Sequence, residues 1–233
     1  MNDIKVEMII EPKFDVLSII GGLARITQVR GEFKPMDHDK AKPLYEKLLD
    51  WKHTSLLECA DFGFIIHGAS RVFLAQITRH RLASFVSGSQ QYQDHTGFEF
   101  VIPPEITVDA DKEAYEKFMR IADNLYELFK DRYGRDIARY LLPGATRVNA
   151  LFIKANLREW LTAIFPQRIC MRNTPEAEHV LRLILQCFVH KGYGELVEGH
   201  AAPACITEGR CDQGTMCCGH PYKSADEVLY GQG

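Results

Sequence analysis

Arg79-His80-Arg81-Leu82-Ala83-Ser84-Phe85-Val86-Ser87-Gly88-Ser89 sets two permanent cations on either side of a histidine and places a serine after a seven-residue spacer. Immediately upstream, Val72, Phe73, Leu74, Ala75 and Ile77 have the composition of a buried helix. The basic triplet is therefore expected at or near that helix's end, with Gly88 as the breaker. In a helix, Gln76, Arg79 and His80 fall at i, i+3 and i+4 and share one face. Guanidinium forks on such a face suit phosphate, because arginine offers several donors in a planar, permanently charged array. A basic triplet at a helix C-terminus also compensates the helix dipole, so alone it decides little.

Outward from the triplet, the chain reads as alternating short strands and amphipathic helices. Lys5 to Ile10 is strand-like and ends at Glu11-Pro12. Phe14 to Thr27 reads as a short helix, or as a helix with a close backbone approach at Gly21-Gly22, and Arg30 to Pro35 is loop. Asp37 or Asp39 caps a helix reaching about Trp51, with Ala41, Leu44, Tyr45, Leu48 and Leu49 on its apolar stripe and His53 just past its end. Phe62, Phe64 and Ile66 mark a strand, and Phe98 to Ile102 a further one. The clearest helix is Asp109 to Tyr133, where Tyr115, Phe118, Met119, Ala122, Leu125, Tyr126 and Phe129 form a stripe expected in the core. Arg135 to Leu142 is a short helix, Val148 to Lys154 a strand, and Asn156 to Phe165 a helix stopped by Pro166. The last long helix takes Asn173 or Thr174 as cap and Pro175 at its first position, burying Val180, Leu183, Ile184, Cys187 and Phe188. Past His200 the composition turns to Gly, Cys and Pro. One domain over 1–200 followed by a Cys/Gly-rich tail over 201–233 is the expected organisation. There is no regular βαβ rhythm and no Gly-x-Gly-x-x-Gly. The expected class is α/β (α+β mixed), a central mixed sheet flanked by helices and not a doubly wound dinucleotide-binding fold.

Composition narrows the partners. A chain of 233 residues with 46% hydrophobic and 25% charged residues is an ordinary globular protein with room for one sizeable core. A formal net charge of −3 argues against nucleic acid as a partner, so any phosphate site must be local. No run reaches the ~18 apolar residues of a membrane span, and Met-Asn-Asp-Ile-Lys lacks a signal-peptide pattern. The expected location is cytoplasmic. Of seven cysteines, Cys59, Cys170 and Cys187 lie in apolar contexts and are expected as buried free thiols. Cys205, Cys211, Cys217 and Cys218 cluster in the tail, where zinc or an iron–sulfur cluster is an alternative. Their spacing is not the Cys-x2-Cys of common zinc sites, and reduced thiols are the favoured state.

The triplet with its seven-residue spacer and Ser89, approached by His53-x-Ser55-x-x-Glu58, Ser70-Arg71 and Gln76, resembles the signature of the flavin-dependent thymidylate synthases. The resemblance runs to about Leu196. It implies a homotetramer of mixed α/β fold with FAD bound where subunits meet. It also implies transfer of the methylene of methylenetetrahydrofolate to carbon 5 of dUMP, with NADPH as reductant. By the same resemblance, Arg79, His80 and Arg81 hold FAD and the nucleotide phosphate, His53 and Ser55 lie against the flavin, and His53 and Arg168 are the candidate catalytic residues. Gln76, Ser87 and Ser89 match nucleotide contacts. Arg139, before Leu141-Leu142-Pro143, matches an arginine that reaches the nucleotide across the subunit interface. Asn156-Leu157-Arg158 matches a flavin-contacting Asn-x-Arg, and Arg168 an arginine that hydrogen-bonds the pyrimidine and stabilises charge on the ring. The Arg168 match needs one extra residue between Glu159 and Gln167.

Two departures bear on the substrate. The family's usual Ser-x-Arg-Tyr reads Ser89-Gln90-Gln91-Tyr92, and Asn173-Thr174-Pro175-Glu176 stands for Ala-Gln-Trp-Glu. Gln91 thus replaces an arginine that helps hold the nucleotide, a loss of about 1.5–3 kcal/mol where nothing substitutes for it. Glutamine both donates and accepts. The alternatives to dUMP are therefore dCMP or UMP with the same flavin and folate chemistry, or a non-catalytic flavin- or nucleotide-binding protein.

Overall fold

Four short strands, β1 (Lys5–Ile10), β2 (Asp61–His67), β3 (Ser84–Ser87) and β4 (Leu151–Asn156), form one sheet in the order β1-β2-β4-β3. This is a computed structural model, and it describes residues 3–231. All three strand pairings are antiparallel, where the sequence predicts a mixed sheet. In β4 buried and half-buried residues alternate strictly, so one face of the sheet carries most of the core.

Eleven α-helices are present among the described residues. α1 (Val16–Ile26) starts at Asp15, whose carboxylate accepts from the Ser18 backbone N–H at 3.2 Å. α2 (His38–Asp50) packs against it. α3 (Arg71–Ile77) is capped by Ser70, and α4 (Asp109–Tyr133) runs straight into Gly134 and the short α5 (Arg135–Ala138). α6 (Leu157–Glu159) and α7 (Phe165–Arg168) are joined by a π-helical turn at Trp160–Ile164. α8 (Pro175–His190), capped by Thr174, packs on β1. The short α9 (Gly194–Val197), α10 (Ala204–Thr207) and α11 (Ala225–Tyr230) complete the chain.

The core is aromatic where these layers meet. Phe62 and Phe188 have ring centroids 4.7 Å apart, Phe64 and Trp160 5.2 Å, and Trp160 and Phe165 5.5 Å. The tail joins this core: Tyr222, Val228 and Leu229 are buried in it. The Arg182 guanidinium of α8 donates to the carbonyl oxygens of Glu227 and Val228, each at 2.7 Å, and fastens α11 in place. Among the described residues no helix is long and apolar enough to cross a membrane.

Several expectations change. Phe98–Ile102 is not a strand but forms an isolated bridge between Phe100 and Thr146, and Pro103-Pro104 next to it can donate no ladder bonds. Pro166 does not end its helix; it sits in the first turn of α7, where its missing N–H is tolerated. Met119, Ala122 and Tyr126 of α4 are buried as predicted, but Phe118 and Leu125 face outward. Cys59, Cys170 and Cys187 are half-buried, not enclosed. The close approach at Gly21-Gly22 is present, since a Cβ on Gly22 would lie 2.6 Å from the Lys34 carbonyl oxygen. Backbone cannot yield as a side chain does, so Gly22→Ala is expected to destabilise the protein by about 1–3 kcal/mol, read as a lower midpoint in urea.

Candidate functional site

Helix α3 stops at Ile77, and the triplet lies beyond it. The His80 N–H reaches the Ile77 carbonyl at 3.2 Å and the Ala83 N–H reaches the His80 carbonyl at 3.1 Å, a tight turn that hands the chain into β3. The expected shared helical face of Gln76, Arg79 and His80 is therefore absent. The turn instead separates the triplet: Arg79 and Arg81 are exposed and make no ion pair among the described residues, while His80 is only 5% exposed. Gln76, still in α3, accepts from the Thr174 hydroxyl at the cap of α8, at 3.1 Å.

Buried His80 is the node of the site. The Arg168 Nε–H donates to its Nε2 at 2.9 Å, and the Glu159 Oε1 faces its Nδ1 at 3.5 Å. Burial first, and the Arg168 cation second, push the imidazole down to about 4, so it is neutral near pH 7. Burial raises the Glu159 carboxyl, with Arg158 opposing. Arg168 arrives here because the helix from Leu157 is not regular. The Phe165 N–H bonds the Trp160 carbonyl, five residues back, so the π turn holds one residue more than an α-turn. That turn lies in the stretch where the resemblance counts an extra residue.

A second group of site residues lines an open groove of about 760 Å³. His53 immediately precedes a 3₁₀ turn at Thr54–Cys59, and Ser55 lies within it. Arg158 lines the groove and pairs with Glu58 at 2.5 Å. Asn156 contributes indirectly, its Oδ1 accepting from the Glu159 N–H at 2.9 Å as the cap of α6. Trp51, 60% exposed, lies with its ring centroid 5.9 Å from that of His53. A planar, phosphate-bearing cofactor needs an apolar wall and cations at the rim. Met36, Leu44 and Trp51 supply the wall, and Arg25, Lys40 and Arg158 the charge. These residues fit a flavin nucleotide.

A third group is tied through one carboxylate. The Gln91 amide donates to Asp136 Oδ2 at 3.4 Å, and Arg139 approaches the same side chain at 3.9 Å while its Nε donates to the Asp136 carbonyl. Ser89 Oγ accepts from the Gln91 N–H at 3.2 Å, and Arg71 donates to the Gly88 carbonyl at 2.8 Å, fixing the loop that follows half-buried Ser87. Arg168 also lines a groove of about 510 Å³ with Cys205, Cys211 and Cys218 of the tail. Among the described residues no three His, Cys, Asp or Glu side chains, Cys217 included, are grouped to hold a metal. Glu159 and Asp136 were not foreseen. The one available signal was an acidic residue directly before the apolar run Trp160-Leu161.

A family model described as "Thymidylate synthase complementing protein" matches residues 18–191, which span all three groups. A flavin-dependent thymidylate synthase of Pyrococcus abyssi is 33% identical over 191 residues, covering 78% of this chain and 77% of its own. This chain belongs to the flavin-dependent thymidylate synthase family. Another family member, from Nitratidesulfovibrio vulgaris, is 32% identical over 195 residues, 79% of this chain and 78% of that one. The fold of this chain is similar to that of a solved structure, the UMP/dUMP methylase PolB from Streptomyces cacaoi bound with 5-Br dUMP. It superposes with a TM-score of 0.67 at 19% identity, over 84% of this chain and 94% of that one.

The buried His80 has a consequence for stability. An unfolded chain binds a proton at this histidine below its ordinary value of 6.5, whereas the folded one does so only near 4. Stability contributed here is complete above pH 6.5 and lost as pH falls towards 4, at up to about 1.4 kcal/mol per pH unit. Urea titrations between pH 4 and 6.5 should show that slope in the native protein and a flatter one in His80→Gln.

Proposed function

We propose that this chain is a flavin-dependent thymidylate synthase that methylates dUMP to dTMP, with FAD as cofactor, methylenetetrahydrofolate as carbon donor and NADPH as reductant. The observation that carries this reading is the contact of Arg168 with the buried histidine of the basic triplet. It sets the residue matched to the pyrimidine against the histidine of the triplet matched to flavin and phosphate. When bound, the flavin supplies the hydride chemistry. Trp51, His53 and Ser55 would receive its ring system, and Arg158, with Asn156 bracing the turn beside it, would hold its polar part. Arg79 and Arg81, both outward and without ion-pair partners among the described residues, are available for phosphate. Because the Arg168 Nε is engaged by His80, its two terminal nitrogens remain for the pyrimidine, where they would stabilise the negative charge on the ring that makes carbon 5 nucleophilic towards the methylene. Gln76, Ser87 and Ser89 would position the sugar and phosphate. Gln91 and Arg139, coupled by Asp136, would close that end.

The test is anaerobic. Bound flavin should be reduced by NADPH faster with dUMP than without, and addition of methylenetetrahydrofolate should yield dTMP. Arg168→Ala should keep its flavin and lose about two to three orders of magnitude in kcat. Gln91 donates to a carboxylate where the family has a cation, which favours running dCMP and UMP in parallel. Product from either, with none from dUMP, would move the substrate. Flavin that ignores all three nucleotides would make the chain a binding protein, and failure to take up FAD would overturn the reading.

The assembly proposed is a homotetramer with sites where subunits meet. Phe118, Ile121, Leu125 and Leu128 recur at 3-4-3 spacing along α4 and are 56%, 48%, 40% and 40% exposed, an apolar seam left uncovered among the described residues. Tyr92 and Tyr140, beside Gln91 and Arg139, are also exposed. Sedimentation should give a tetramer, and the double change Phe118→Glu, Leu125→Glu should give smaller species with lower activity.

A further inference from the structure

Glu159 is a buried carboxylate with no role in the reading above. Its side chain is 9% exposed, and its one side-chain partner among the described residues is the His80 ring. The neighbouring cation, Arg158, is turned outward onto Glu58. Burying a carboxylate this way is costly unless the charge faces something that needs it. What it faces is the Nδ1 edge of an imidazole whose other edge is already assigned.

The assignment follows from donors and acceptors. Arg168 Nε can only donate, so the His80 Nε2 it meets at 2.9 Å must present a lone pair. A neutral imidazole then carries its hydrogen on Nδ1, which points at Glu159 Oε1 at 3.5 Å. That separation is an electrostatic contact, not a short hydrogen bond, but an anion there favours the same tautomer that Arg168 demands. Without it, the ring is free to carry its hydrogen on Nε2, where a donor would face a donor. Arg168 would then lose its anchor.

We infer that Glu159 is a positioning residue: through the His80 tautomer it fixes the Arg168 side chain with its terminal nitrogens directed at the substrate. This rests on the proposed role of Arg168. It adds a residue that touches neither flavin nor nucleotide and acts through two intermediates in series.

The test compares Glu159→Leu, which removes the acceptor, with Glu159→Gln, which keeps an acceptor oxygen without the charge. In protein labelled with ¹⁵N-histidine, the His80 signals, identified by their absence in His80→Gln, should show protonated Nδ1 and bare Nε2 in the native chain. Glu159→Gln should retain that pattern, and Glu159→Leu should move towards the average of the two tautomers. In turnover, Glu159→Leu should lose about ten- to hundredfold in kcat with KM for dUMP altered less and flavin content unchanged, while Glu159→Gln stays within about threefold of native. Where Glu159→Leu does not fold, Glu159→Ala removes the acceptor without adding bulk and is read in the same way. A native tautomer pattern in the Leu or Ala variant would overturn the inference, as would an altered pattern with unchanged kcat. A changed pattern in a protein whose flavin ignores dUMP would support the Glu159–His80–Arg168 geometry and count instead against the proposed function.

Discussion

The contact between the Arg168 Nε–H and the His80 imidazole is what the rest of the site depends on. It joins two elements remote in sequence, the turn after α3 and the end of α7, and works only while the histidine is neutral and its Nε2 is bare. Burial enforces the first condition and Glu159 favours the second. The aromatic core beneath, with Trp160 against Phe64 and Phe165, fixes the helix from which Arg168 projects. A polar pair on such a base can be exact in direction without being strong, because its geometry is set by close-packed side chains that cannot shift independently.

Much of this architecture could be read from the sequence, and the reasons are local. β1 at Lys5–Ile10 and α4 at Asp109–Tyr133 fall where alternation and helical periodicity put them, and Thr174-Pro175 starts α8 as a capping residue followed by proline should. These signals are complete within a few turns of chain. The fate of the basic triplet was not, because the helical composition of 72–77 does not say where the helix stops, and β3 is held as a strand by its pairing with β4. Phe118 and Leu125 likewise carry the right periodicity for a core stripe. Periodicity says that a face is apolar, not whether its cover comes from the same chain.

Candidate site residues could be named from the sequence, but not how they are placed. Arg79, His80 and Arg81 are adjacent in the chain, yet burial divides them into one internal and two external groups, a distinction that spacing cannot give. Asp136 and Glu159 escaped notice because single carboxylates are common and only their three-dimensional neighbours distinguish them. The tail shows the same limit from the other side. Its composition suggested a Cys/Gly-rich tail beyond the domain; Tyr222, Val228 and Leu229 are core residues, and Cys205, Cys211 and Cys218 wall the groove that holds Arg168.

The π turn at Trp160–Ile164 makes the length of the segment from Leu157 to Arg168 a constraint in its own right. Each residue in a helix turns the chain by about 100°. Removing one residue between Trp160 and Ile164 would restore a regular helix and swing Arg168 about a quarter-turn or more around its axis, away from His80. Side chains along this stretch can therefore change more freely than their number can, and the segment is better described as a register than as a scaffold.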